Sequence, residues 1–137
     1  MSYKTLCEEI YRDWRSDPSS LSEFSDDFAI EHLPEPYLPV RFGETGLVVL
    51  NNNPGQVHPF QHHSSISSRF SAEVAYKEIS HWLMAQYIGK DSEINRAAKS
   101  RIARMFALAD ALGCEGIENV EMFFLHSSRF NKDRFLS

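Results

Sequence analysis

The residues with the clearest chemical potential lie in one short segment, Asn51-Asn52-Asn53-Pro54-Gly55. It follows the apolar run Leu47-Val48-Val49-Leu50 directly, so it reads as a turn at the end of a strand. Proline fixes the bend, and glycine lets backbone approach a ligand closely. A side-chain amide there can hold a water, and turn N–H groups can face an anion. Against this stands the plainer reading of a strand-terminating turn. His58, His62 and His63 follow, but no cysteine or carboxylate nearby completes a tetrahedral metal set, and they read as solvated loop histidines. His63 beside Ser64 and Ser65 makes no triad, because adjacent residues rarely meet in that geometry. Arg96, Lys99, Arg101 and Arg104, with Lys90 nearby, form a locally basic stretch without one clean stripe. Arg129, Lys132 and Arg134 alternate with Phe130 and Phe135 in a tail suited either to nucleic acid or to docking on a neighbour.

The elements that must position these residues follow from hydrophobic spacing. Tyr3, Leu6, Ile10 and Trp14 mark an amphipathic helix over 3–15, stopped by Ser16-Asp17-Pro18. Residues 18–46 carry Pro34, Pro36, Pro39, Gly43 and Gly46 and read as an extended, acidic loop pinned by its aromatics. Leu47–Leu50 has no polar alternation and predicts a strand buried on both faces. Residues 56–68 predict a polar loop. A helix over 71–88 buries Val74, Ile79, Trp82, Leu83 and Tyr87 and stops at Gly89. Another spans 92–112, with Ser92 as N-cap, Ile94, Ala98, Ile102, Phe106 and Ala109 inward, and Gly113 past its end. Val120–Leu125 predicts a second strand, parallel to the first. Thus residues 1–137 form one α/β domain: an N-terminal helix over 1–17, a loop over 18–46 and a β-α-α-β core over 47–126.

Composition bounds the rest. A chain of 137 residues, 42% hydrophobic and 24% charged, suits one ordinary domain. No apolar run approaches a membrane span, and no charged-then-apolar leader opens the chain, so a cytoplasmic protein away from membranes is expected. Cys7 and Cys114 read as reduced, buried thiols. Of the net charge of −5, residues 1–36 contribute 9 acidic against 3 basic side chains. A polyanion-binding surface would therefore lie in the remainder and be modest.

The segment LVVLNNNPG resembles the uracil-DNA glycosylase superfamily, whose first core strand commonly ends in a turn of the form G-[IM]-N-P-G. His32-Leu33-Pro34-Glu35-Pro36-Tyr37 is similar to the lead-in of an uncharacterised bacterial branch of that superfamily, and Val120 to Ser128 to its second strand. The resemblance covers roughly residues 30–130. It implies a partial three-layer αβα fold with a short parallel sheet, lacking the C-terminal strands, and a nucleobase pocket. It gives Asn53 the part of water-positioning residue, with Pro54, Gly55 and Gln56 as the cradle of the base. Phe60 is the first candidate to stack on a flipped base and Phe70 the second; His126 would read its edge. The implied reaction is hydrolysis of an N-glycosidic bond with neither metal nor organic cofactor. The family's second motif, an H-P-S-like segment after a fourth strand, has no counterpart in the strands read here. The rival reading is a non-catalytic, phage-derived binding or inhibitor protein on a shortened glycosylase scaffold. DNA and a protein are the candidate partners, and homo-oligomerisation would cover the open sheet edge.

Overall fold

A computed structural model describes residues 1–52, 54, 55, 57–88 and 96–127, the side chains of 96–99 excepted. Gly89, Lys90, Ser92, Ile94 and the basic tail lie outside the described residues, as do Asn53 and Gln56. The chain is mixed helix and sheet, and its contacts divide it into two compact units.

The first unit comprises 1–36, 52–74 and the segment from 121 onward. Its helix α1 spans Tyr3–Ser16, capped by the Ser2 hydroxyl, which accepts from Thr5 N–H. Asp17 ends it and caps the following 3₁₀ stretch, Pro18–Phe24. Two hydrogen bonds from Ser19 hold the Asp17 carboxyl below the usual carboxylate range. The buried stripe of α1 is Cys7, Tyr11 and Trp14, whereas Tyr3 and Leu6 are exposed. Trp14 selects that face: its indole N–H donates to Ile30 O at 2.7 Å, and its ring meets His63 edge-on. Residues 56–68, expected as a loop, instead hold a 3₁₀ turn at Pro59–Gln61 and a helix α2 at His63–Arg69. The His62 side chain accepts from Ser64 N–H to cap α2, and only Ile66 is buried within it. One apolar residue leaves no periodicity for a sequence reading to detect.

The second unit comprises 37–51 and 75–120. Its sheet has three strands, β1 (Tyr37–Arg41), β2 (Gly46–Asn51) and β3 (Gly116–Glu121), in the order β1-β3-β2. Strand β1 pairs antiparallel to β3, with Tyr37 opposite Val120. Gly116 N–H bonds Thr45 O at the entrance to β3, and Phe123 N–H bonds Asn52 O beyond its exit, so β2 and β3 run parallel. The expected parallel pair is present, but the sheet is mixed and not wholly parallel.

Three sequence expectations are corrected here. Residues 37–41 are a strand within the supposed loop; Pro39 is tolerated because β1 is an edge, where a missing N–H costs little. The second strand lies at 116–121 and not 120–125: the run Met122–Leu125 leaves the ladder for the other unit. Strand β2 is not buried on both faces, since Val48 and Leu50 are exposed while Leu47 and Val49 are half-covered.

Helix α3 spans Tyr76–Ile88, shorter than the expected 71–88, and buries Tyr76, Ile79, Leu83, Met84 and Tyr87. Val74 and Trp82, expected inside, are only half-buried. Tyr76 packs edge-on against Tyr37 and donates its hydroxyl to Tyr37 O at 2.8 Å, fastening α3 to β1. Helix α4 spans Arg96–Leu112, burying Ile102, Met105 and Ala109, while Phe106 is half-buried. Gly113, at φ +69°, closes α4 in a Schellman arrangement: Cys114 N–H bonds Ala109 O and Gly113 N–H bonds Asp110 O. Arg41 secures this end of the unit. Its guanidinium donates to Cys114 O, Glu115 O and Asp110 Oδ1, and lies over the Phe106 ring. Cys7 and Cys114 are free thiols, the first buried and the second half-buried.

Gly43 and Gly116 are in close backbone contact: a Cβ on Gly43 would come within 2.5 Å of Gly116 N, and one on Gly116 within 2.8 Å of Gly43 O. Backbone on both sides leaves nothing flexible to give way. Gly43→Ala is expected to cost about 1–3 kcal/mol of stability in denaturant unfolding, as overpacking does. Gly46→Ala, with open space around it, is expected to cost far less.

Candidate functional site

The segment 121–127 is held along both sides by backbone hydrogen bonds. On one side, Glu121 N–H bonds Pro36 O, Glu35 N–H bonds Phe124 O, and Ala29 N–H bonds His126 O. On the other, Phe123 N–H bonds Asn52 O and Ser127 N–H bonds Gly55 O at 2.9 Å. Gly55 sits at φ +84°, a conformation open to glycine and strained for other residues. The turn after β2 is thereby tied to the residues around His126.

Beside this junction is an open cleft of about 410 Å³. Ser25, Asp26, Asp27, Phe28 and Ala29 line one side, and Val57, His126 and Ser127 the other. His126 is fully buried and forms the floor. Behind it lies Glu35, 1% exposed, with Oε2 3.4 Å from His126 Nε2, an ion-pair distance longer than a good hydrogen bond. A buried carboxylate beside a buried imidazole can fix the ring and balance its charge when protonated. Phe28 is itself buried and stacks on Phe123, giving the cleft a rigid aromatic wall. The volume falls within the range of small-molecule pockets, roughly 300–1,000 Å³.

Of the residues proposed from sequence, Gly55 and His126 come close at this junction. Gly55 bonds the neighbour of His126, whereas Asn53 and Gln56 lie outside the described residues. Phe60 lines a separate cleft with Ser65, Ser68 and Arg69, and its ring stacks on His58. Phe70 instead carries the carbonyl that accepts from Arg15. The three loop histidines point to different partners. His58 stacks on Phe60, His62 meets His32 edge-on, and His63 Nε2 lies 2.8 Å from Arg15 O. Sequence reasoning missed Glu35, Asp26, Asp27, Phe28 and Ser127. Glu35 did leave a signal, a lone carboxylate between Pro34 and Pro36; the aspartates were indistinguishable from the rest of an acidic loop.

Compared with known proteins, the chain matches no family model, and no curated protein or solved structure is significantly similar to it. Among the described residues, no helix is long and apolar enough to cross a membrane.

Burial, with His62 nearby, holds His32 below the ordinary histidine range, and burial alone does the same for His58. Both are therefore protonated more readily in the unfolded chain, so their contribution is complete above pH about 6.5 and is lost progressively as pH falls below it. Tm is expected to drop between pH 7.5 and 5.5, and the drop to shrink in a His32→Gln, His58→Gln variant. Removing Glu35 takes away the carboxyl that lies 3.4 Å from His126 Nε2. Glu35→Ala is expected to cost about 1–3 kcal/mol, as loss of a buried polar partner does, while Glu35→Met with His126→Leu recovers most of it.

Proposed function

We propose that this protein binds a nucleobase in the cleft floored by His126 and hydrolyses an N-glycosidic bond in the manner of the uracil-DNA glycosylase superfamily. The single observation behind this reading is the hydrogen bond from Ser127 N–H to Gly55 O. It joins the two pieces of sequence that the resemblance assigns to one pocket, the Asn-Pro-Gly turn and the segment carrying His126. The size of the cleft and its buried aromatic wall are compatible with a planar base.

In such a reaction the bond from the sugar C1′ to the base nitrogen breaks, and the base leaves with the electron pair. Water adds to C1′, and the proton it gives up ends on the departing base anion, so that the sugar keeps the hydroxyl and the base is released neutral. Here Asn53 holds the water, which makes its contribution one of placement, because an amide is too weak a base for more. His126 hydrogen-bonds the edge of the departing base, with Glu35 as the positioning residue behind it. Asp26 and Asp27, at the side of the cleft, face the positive charge that develops on the sugar. Phe28 forms part of the wall of this cleft, whereas Phe60, the first stacking candidate, belongs to the other cleft. Neither a metal nor an organic cofactor is needed for these steps.

The test is release of base from single- and double-stranded oligonucleotides carrying uracil or alkylated bases, using folded wild type, Asn53→Ala and His126→Asn. Wild type is expected to release one such base, and each variant to lose about 10²–10³-fold, the scale of losing one preorganised polar contact. No release and no binding of free bases by folded wild type would discard the reading. Base binding without release would select the alternative of a non-catalytic binding protein, which the exposed edge strand β2 favours.

A further inference from the structure

The two edges of the sheet are treated differently. Strand β1 carries the usual protections: Pro39 removes a donor, the register is irregular between Pro39 and Arg41, Arg41 adds a charge, and α3 packs against the strand. Strand β2 lies at the opposite edge. Its sequence Gly-Leu-Val-Val-Leu-Asn holds no charge and no proline, and among the described residues no strand pairs with its outer side. Val48 is 63% exposed and Leu50 61% exposed. Being two apart, they stand on one face of the strand.

We propose that β2 pairs antiparallel with β2 of a second copy of this chain, about a two-fold axis through Val49, giving a continuous six-stranded sheet. The occupant is specified by the strand's own pattern. In this register Val48 faces Leu50 of the copy on the exposed face, and Leu50 faces Val48, so the two exposed apolar residues cover each other. Val49 meets itself, and Leu47 meets Asn51. The nearest carboxylate, Glu44, falls opposite Pro54, so no like charges meet along the edge although the chain as a whole is acidic. An uncharged strand suits an uncharged partner, and an isologous contact supplies one automatically. Six strands lie within the ordinary size of a sheet. Strand pairing alone buries less than a standard interface, so the dimer is expected to be weak and concentration-dependent.

Sedimentation equilibrium of the full chain over a wide range of concentration tests this directly. Wild type is expected to dimerise reversibly. Val48→Lys with Leu50→Lys puts like charges opposite each other and should weaken the dimer at least tenfold. Val48→Glu with Leu50→Lys puts opposite charges at the same pair of positions and should restore most of it. Both positions are exposed, so the monomer should keep its circular dichroism and Tm in all three proteins. Three outcomes overturn the proposal. One is a strictly monomeric wild type, which would leave β2 for a different partner. Another is a dimer indifferent to the double lysine variant, which would lie on another surface. The last is equal weakening by both variants, which would exclude this register.

Discussion

The stretch from Gly116 to Ser127 is the segment on which both units depend. Its first half is the middle strand of the sheet, with β1 and β2 on either side. Its second half is bonded to residues 29–36 on one side and to Asn52 and Gly55 on the other. Strands β1 and β2 do not pair with each other, and the 29–36 segment contains no regular strand. Without the central segment, a large set of backbone donors and acceptors in each unit would lose its partners, at a desolvation cost of about 1–3 kcal/mol for each one left buried. Placing His126 at the end of this segment gives a candidate functional side chain a backbone bonded on both sides.

Polar groups are buried along the same path, which explains its unusual composition. Asn119 is fully buried in β3, and its side-chain oxygen accepts from Asn51 of β2. Glu35, Glu121 and His126 are buried in the other unit. Such groups add little net stability, because desolvation offsets most of the attraction. Their value lies in specificity. In a strand where a slip of one residue exchanges the two faces, the Asn51–Asn119 bond distinguishes the correct parallel register from its neighbours.

The elements legible in the sequence are those whose signal is local. The proline after Asp17, the glycine after α4 and the apolar block of β2 each act within a few residues, and helix ends and strand position follow from them. What was illegible depends on distant partners. Trp14 belongs to the buried face of α1, but the rest of that face is set by Ile30 and His63, so Cys7 and Tyr11 turn inward in place of Tyr3 and Leu6. The strand around Val120 was displaced in the reading because Met122–Leu125 has the stronger apolar signal, whereas the true β3 alternates buried and half-buried positions with Asn119 and Glu121 inside. The candidate site followed the same rule. The turn at Pro54-Gly55 was visible from its residue types, but its neighbours Asp26, Asp27 and Glu35 come from a loop that carries no pattern of its own.

The placing of β3 between β1 and β2 also governs how the chain can assemble. Arg41 reaches Cys114 across 73 residues, and Asn51 reaches Asn119 across 68. Ladders of this span must close long loops before any contact repays the entropy, which slows folding. During synthesis β1 and β2 emerge well before β3, and neither is the other's partner. The uncharged β2 therefore waits with both edges open, in a nascent chain that gains its sheet only when one late segment arrives. A protein built in this order is more exposed to faulty association while it is being made than after it has folded.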